Sequence, residues 1–261
     1  MAEIIAIANN KGGVAKTTTA VAIGRAWAML GKKILFVDLD SQANLTSTLL
    51  DEEYDPKRTI TDAFAEKYDI PIEHVDDMID VVPSGLSLSN FDSITSRYNS
   101  REFLLADLLD PVKDNYDFII IDCPPALGLI TYNALVAADH LLMVATADRY
   151  SYDGMMMIAQ IYNDVRESVR LNPGLALDGV IITKYRKNKI TDVWYNKIHQ
   201  EVGDTLIMPA VREATKIQQA NTMNKNIYEY DPEGTATKDY KLVAAEVLKR
   251  VTKNSIRYVK E

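Results

Sequence analysis

Short runs of consecutive apolar residues recur along the chain, and stretches with the spacing of amphipathic helices separate them. Runs of this length without polar alternation are typical of parallel strands that are covered on both faces. The strands predicted in this way span residues 4–8, 34–37, 78–82, 117–122, 139–146 and 178–183. The pattern therefore predicts a sheet that is buried between two layers of helices.

Helical spacing of small and apolar residues predicts the segments between these strands. The predicted helices span residues 17–31, a segment that begins near Ala43, residues 101–109 and residues 152–166. Residues 51–77 are charged and poorly periodic, which predicts a surface excursion with short helical segments around 61–67. Alternation of strands and helices indicates an α/β fold with a twisted, mostly parallel sheet. Because 261 residues with 47% hydrophobic content can bury one large core, we expect a single domain over residues 1–261.

The segment between the first strand and the first helix has the composition of a phosphate-binding loop. Residues 4–20 read IIAIANNKGGVAKTTTA. Backbone N–H groups in such a loop, together with the open end of the next helix, form a cavity that suits a polyphosphate. Lys16 is placed to reach the β- and γ-phosphates, and the Thr17 hydroxyl is placed to hold Mg²⁺. Asn10 and Ala15 stand where the usual motif has glycine, so the match is imperfect.

Aspartates close two of the predicted strands, at the end of the sheet where ligands of α/β proteins gather. Asp38 and Asp40 alternate in strand geometry, so they should face opposite sides and have different roles. Either one could instead cap the helix that begins near Ala43. Asp122 ends the run FIIID, which has the form of a Walker B strand whose carboxylate holds Mg²⁺.

These motifs resemble those of one protein family. The string KGGVAKTTTA closely resembles the deviant Walker A loop of the ParA/MinD ATPases, whose usual form is KGGVGKTT, and Ala15 is the departure inside it. VDLDSQAN is similar to the family's VDxDPQxN element, and YDFIIIDCPPALGLITYNALVAADHLLMV is similar to the family over nearly its full length. The chain most resembles the small ParA/Soj-type partition ATPases.

The resemblance implies a P-loop ATPase that uses ATP and Mg²⁺ and hydrolyses ATP slowly without a partner. In this family a lysine at the position of Lys11 crosses a dimer interface to the other subunit's phosphates, and an aspartate at the position of Asp40 positions the attacking water. The implied catalytic residues are Lys11, Lys16 and Asp40, and the implied metal residues are Thr17, Asp40 and Asp122. The implied ATP-binding residues are Lys11, Gly12, Gly13, Val14, Ala15, Lys16, Thr17, Thr18 and, for the adenine, Pro209.

Charge is distributed unevenly along the chain, whose formal net charge is −8. Residues 1–183 hold 14 basic and 27 acidic side chains, whereas residues 184–261 hold 15 and 10. The resemblance implies that an ATP-dependent homodimer binds non-specific DNA through this basic end and that a ParB-like adaptor stimulates its release. A solvated surface is the simpler interpretation of any single lysine, and Arg212 and Lys216 are predicted to share a helix face. The DNA-binding candidates are Arg212, Lys216, Lys184, Arg186 and Lys187, with Lys189 beside them.

Other observations limit the alternatives. The single cysteine, Cys123, excludes a disulfide framework and a CxxC metal site, and it fits a reducing cytosol. We therefore expect a cytoplasmic protein, and the resemblance implies that it is associated with the nucleoid when ATP is bound. Residues 248–261 lack a bulky apolar face, so we expect no stable membrane anchor of the kind in MinD-like protein-positioning ATPases. A P-loop metabolic ligase of the dethiobiotin synthetase type stays open as a second interpretation.

Overall fold

The structure is a computed structural model that describes residues 1–50, 55–67, 69–223 and 225–258. Part of the predicted excursion at residues 51–77 lies outside this description. The strands are β1 (Glu3–Ala8), β2 (Ile34–Asp38), β3 (Glu73–Asp76), β4 (Ile79–Val82), β5 (Phe118–Asp122), β6 (His140–Thr146), β7 (Ala176–Thr183) and β8 (Leu206–Ile207). They form one sheet in the order β3-β4-β2-β5-β1-β6-β7-β8, and every neighbouring pair is parallel except β3 with β4.

Helices cover both faces of this sheet. They are α1 (Lys16–Ala28), α2 (Asn44–Leu49), α3 (Ile60–Glu66), α4 (Phe91–Thr95), α5 (Leu104–Leu109), α6 (Leu129–Ala137), α7 (Arg149–Glu167), α8 (Lys189–Val202), α9 (Thr215–Thr222), α10 (Ile227–Tyr230) and α11 (Thr235–Tyr258). Alternate residues of β1 enter two separate cores: Ile4 packs toward α5, α6 and α7, and Ile5 toward α1 and α11. The predicted α/β architecture, with a mostly parallel sheet between helical layers, is confirmed.

Among the elements that the sequence pattern did not predict, β3 and α8 show a clear physical reason. β3 is an antiparallel edge strand whose residues are polar and partly exposed, so it lacks the apolar run of a central strand. α8 buries only Ile198 fully, so its apolar signal is weak, and Lys189 begins this helix instead of lying in a basic loop. Strands with both faces buried are therefore the elements that the sequence predicts well.

The strand register brings the polar residues of the predicted site to one end of the sheet. Asp122 at the end of β5 is level with Asp38 at the end of β2 and with Ile7 near the end of β1. The loop that follows β1 therefore lies beside both aspartates. Parallel strands in this order place their carboxyl ends at a single edge, where α1 begins.

A buried histidine joins three strands at the opposite edge of the sheet. His140 of β6 contacts Asp178 of β7 through Nδ1 and Glu3 of β1 through Nε2, the latter at 3.0 Å. Burial alone would lower the pKa of His140, but the hydrogen bonds with the two carboxylates outweigh it and raise the pKa to about 9. The imidazolium is thus the form that the folded chain prefers at neutral pH.

We expect this histidine to make stability depend on pH. Its pKa in the folded chain lies above the ordinary 6.5, so its contribution is complete below pH 6.5 and is lost as pH rises through 9. The free energy of unfolding should fall by up to about 3 kcal/mol across that window, as measured by urea titrations at several pH values. His140→Gln should flatten this dependence, whereas the same change at the exposed His199 should leave it unchanged. An equal slope in His140→Gln would contradict the assignment.

Candidate active site

The loop between β1 and α1 holds two residues in the left-handed backbone region. Gly13 has φ 74° and Ala15, directly before α1, has φ 68°. Glycine adopts this conformation without a penalty, but a residue with a Cβ is disfavoured there by roughly 1–2 kcal/mol. Alanine at position 15 therefore adds a conformational penalty to this loop that glycine, the residue of the family pattern, would not carry.

Asn9 fixes the start of this loop. Its buried side-chain amide donates hydrogen bonds to the carbonyls of Val144 (2.8 Å) and Ser151 (3.3 Å), and its Oδ1 accepts from the Lys11 backbone N–H at 2.8 Å. A Cβ on Gly154 of α7 would lie 2.6 Å from that Oδ1, so α7 packs closely against the loop only because residue 154 is glycine. Sequence reasoning missed both residues. A polar residue that ends a buried strand was the available signal.

Two of the three predicted metal residues, Thr17 and Asp122, lie together. The Thr17 hydroxyl donates to Asp122 Oδ2 at 2.5 Å, and Asp122 Oδ1 is buried without a hydrogen-bond partner among the described residues. Burial, together with the nearby charge of Asp38, raises the pKa of Asp122 to about 8. A carboxylate oxygen without a partner beside a hydroxyl is a donor set that Mg²⁺ accepts, so these residues fit the ion.

Lys16 lies in the same part of the site. Its Nζ donates to the Lys11 carbonyl at 3.4 Å, and its burial lowers the pKa of the ammonium. The Lys16 side chain therefore lies against the phosphate loop, on the side where a bound phosphate would contact it. Its position is the one expected from the motif, although its assignment to the phosphates stays a prediction.

Asp38 and Asp40 have different surroundings, as their alternation predicts. Asp38 is fully buried and accepts hydrogen bonds from the Thr46 N–H (2.9 Å) and hydroxyl (2.8 Å), which caps α2. Burial outweighs these hydrogen bonds and raises the pKa of Asp38 to about 6. Asp40 is partly exposed, accepts from the Gln42 N–H at 3.0 Å and lines the cavity beside the loop. Asp40 is thus the aspartate with access to a ligand, and its catalytic and metal-binding roles stay predictions.

Lys11 is held within its own chain. Its Nζ donates to both carboxylate oxygens of Asp148, at 2.9 and 2.8 Å. Asp148 also caps α7 by accepting from the Ser151 N–H at 3.0 Å. Burial alone would raise the pKa of Asp148, but the hydrogen bonds from Lys11 and the Thr146 hydroxyl keep it below its ordinary value. Sequence reasoning did not identify Asp148, because nothing near it in the chain marks it as a partner of Lys11.

A cavity of about 680 Å³ extends from the loop to the C-terminal segment. Its walls include residues 12, 13, 15–18, 40, 183, 184 and 211–215. Val14 lies beneath the loop surface, and Pro209 is not among the described residues that line the cavity. The adenine assignment of Pro209 stays a prediction, whereas residues 211–215 are the neighbouring segment that does face the cavity.

The basic candidates do not form one uniform surface. Lys184 is exposed, and its Nζ donates to the Gly13 carbonyl at 2.7 Å, so it lies against the phosphate loop. Arg186 is exposed and pairs with Glu213, and Lys187 is exposed next to it. The assignment of these residues to DNA stays a prediction.

Arg212 and Lys216 do not share a helix face, and that prediction is wrong. Arg212 lies in an extended segment that bridges to Tyr185, before α9 begins, and its guanidinium pairs with the buried Asp239 of α11 at 2.7 Å. Lys216 lies in α9 with its Nζ 5.5 Å from the ring centre of Tyr230. Sequence spacing failed here because the segment before α9 is extended.

The side chains of the tail beyond residue 253 lie outside the description, and the expected absence of a membrane anchor falls partly on these residues.

The chain is similar to known proteins over most of its length. The AAA domain family AAA_31 matches residues 2–177. The sporulation initiation inhibitor protein Soj of Bacillus subtilis is 36% identical over 253 residues, which cover 95% of this chain and 98% of that protein. The chromosome partitioning protein ParA of Caulobacter vibrioides is 30% identical, with coverage of 95% and 94%.

Solved structures share the fold over nearly the whole chain. A putative plasmid partition protein of Borrelia burgdorferi bound to AMPPNP is 25% identical, with a TM-score of 0.82 and coverage of 95% of this chain and 99% of that one. A cobyrinic acid a,c-diamide synthase of Mycobacterium smegmatis with bound ADP and magnesium is 25% identical, with a TM-score of 0.81 and coverage of 95% of each chain. Both of these structures contain an adenine nucleotide or its analogue, and the synthase structure also contains magnesium.

Proposed function

The chain belongs to the ParA/Soj family of P-loop ATPases, and on that premise we propose that it segregates DNA as an ATP-dependent homodimer. ATP and Mg²⁺ are its substrate and cofactor. In this proposal the ATP-bound dimer binds DNA without sequence preference, and hydrolysis separates the subunits and releases the DNA. The molecule thus acts as a switch that the nucleotide controls.

The observation that carries this proposal is the position of Lys11. The lysine is not among the described residues that line its own cavity, and its ammonium pairs with Asp148 instead. Lys16 is the lysine placed for the phosphates of its own subunit. The second lysine lies at the rim of the site, where a partner's nucleotide could recruit it.

The remaining roles follow from the geometry of the site. Thr17 and Asp122 would hold Mg²⁺, which neutralises charge on the phosphates when it is bound. Asp40 would orient the attacking water from the cavity wall, and Lys16 would neutralise charge that develops on the γ-phosphate. Each role uses a side chain that already lies at the carboxyl end of the sheet.

The charge distribution supports two kinds of partner. The basic end of the chain, with Lys187 exposed, suits a DNA backbone, because phosphate neutralisation needs few cations per subunit if a dimer doubles them. The acidic remainder of the chain suits a ParB-like adaptor with a basic segment. We place this cycle in the cytoplasm, on the nucleoid when ATP is bound. In the part of the chain that the structure describes, no helix is both long and apolar enough to cross a bilayer.

The test is DNA retention with ATP, with ADP and without nucleotide, each at two salt concentrations. We expect retention only with ATP, and weaker retention at the higher salt concentration. Arg186→Ala with Lys187→Ala should reduce it, whereas Lys32→Ala with Lys33→Ala, a basic pair at the opposite edge of the sheet, should not. If DNA is retained under none of these conditions, the proposal fails and a metabolic reaction gains support, since one structural neighbour is described as a synthase.

We expect Asp148→Asn to strengthen the ATP-dependent dimer. Asparagine keeps an oxygen that can cap α7 but removes the charge that holds Lys11. The side chains of Lys11 and Asp148 are 33% and 38% exposed, so screening limits each pair to about 0.5 kcal/mol. Two pairs per dimer give association that is tighter by about fivefold.

Sedimentation with a non-hydrolysable ATP analogue measures this association. The control is Asp153→Asn, which removes a charge from the same helix at a position that pairs with Arg149 instead of Lys11. Weaker dimers in Asp148→Asn, or an equal gain in both variants, would show that the ion pair does not oppose association.

A further inference from the structure

The end of β7 contacts the phosphate loop through two side chains. Thr183 is buried, and its hydroxyl lies 2.8 Å from the Val14 carbonyl, to which it donates. The same oxygen lies 3.3 Å from the Ala145 carbonyl of β6, so the Val14 contact is the shorter of the two. The Nζ of the neighbouring Lys184 donates to the Gly13 carbonyl at 2.7 Å.

Both accepting carbonyls directly precede the disfavoured residue of the loop. Gly13 and Val14 lead into Ala15, whose φ of 68° is a conformation that L-residues rarely adopt. In a chain with glycine at position 15 the loop would reach this conformation without the steric penalty that alanine carries. With alanine there, hydrogen bonds to the two preceding peptide groups oppose relaxation of the loop.

We propose that Thr183 and Lys184 form a clamp that keeps the phosphate loop in its binding conformation, and that this chain depends on the clamp because residue 15 is alanine. Nucleotide affinity falls in proportion to the fraction of molecules whose loop is competent to bind. The clamp raises that fraction before ATP arrives. Thr183 and Lys184 are therefore positioning residues, and Lys184, a candidate for DNA contact from the sequence, serves the nucleotide site. The inference concerns nucleotide binding alone and does not depend on the proposed role in DNA segregation.

A double-mutant cycle on nucleotide affinity tests the clamp. Thr183→Val and Lys184→Met are each made in the native chain and in Ala15→Gly, and the dissociation constant of a fluorescent ATP analogue with Mg²⁺ is measured. In the native chain we expect each variant to weaken binding by about fivefold, which is the effect of one lost hydrogen bond. With glycine at position 15 we expect a change of less than about twofold, because the loop then carries no steric penalty for the hydrogen bonds to offset.

Conservative variants separate positioning from general stability. Thr183→Ser and Lys184→Arg keep a donor and should restore affinity to within about twofold of the native chain. Melting temperatures are recorded for every variant, and Lys184 is exposed, so its variants are not expected to unfold. Equal losses of affinity in the native chain and in the Ala15→Gly chain would overturn the proposal and would indicate a direct contact between these side chains and the nucleotide. No loss in either chain would overturn it as well.

Discussion

Lys11→Ala is expected to abolish ATP-dependent self-association while nucleotide affinity stays within about threefold of the native value. Lys11 is not among the described residues that line its own cavity, so its side chain contributes little to binding within one subunit. In the proposed dimer each Lys11 contacts the partner's phosphates, and a hydrogen bond to a charged group contributes about 2 kcal/mol. The loss of two such contacts weakens association by about a thousandfold.

Sedimentation and nucleotide titration on the same samples separate the two effects. Asp148→Ala is the matched control, because it breaks the same ion pair but keeps the lysine. That variant should still form dimers with a non-hydrolysable analogue. If Lys11→Ala forms dimers as readily as the native chain, the role of this lysine across the interface is refuted.

Gly24→Ala is expected to destabilise the fold by about 3 kcal/mol, although alanine favours helices over glycine by about 1 kcal/mol. Gly24 lies in α1 against the fully buried ring of Phe36 in β2. A Cβ at residue 24 would overlap the ring Cζ, so the helix or the ring must move. Because α1 also carries Lys16 and Thr17, this displacement would reach the nucleotide site.

Urea denaturation measures this loss, and two further variants test its cause. Gly128→Ala is the control, since a Cβ at that position meets nothing within 4 Å. Phe36→Leu has a smaller side chain, so it should recover part of the stability when it is combined with Gly24→Ala. A Gly24→Ala chain as stable as the native one would show that α1 can shift freely on the sheet.

The sequence predicted the central strands because both of their faces are buried and their apolar runs are continuous. β1, β2, β5 and β6 were all identified in this way. β3 and α8 were missed because partial exposure mixes polar residues into their patterns. A continuous apolar run therefore indicates that a strand is buried on both faces, and it does not detect every strand or helix.

The residues of the candidate site also fall into those that the sequence indicated and those that it did not. Lys16, Thr17 and Asp122 were identified because each is attached to a strand or helix whose end is visible in the sequence. Asp148 and Thr183 were not identified as contacts of the loop, since they reach it through the order of β1, β6 and β7 in the sheet. Contacts that depend on which strands become neighbours need the tertiary structure.

The ion pair between Lys11 and Asp148 also has a kinetic consequence. Because both groups belong to one chain, an ammonium that leaves a partner meets its own carboxylate at a high effective concentration, whereas another subunit must first arrive by diffusion. Lys11 therefore pairs with Asp148 of its own chain before the subunit meets another subunit. Because an exposed pair contributes only about 0.5 kcal/mol, the captured lysine would outnumber the free one by about twofold, and re-association of the freed subunits would be slowed by a similar factor for each lysine.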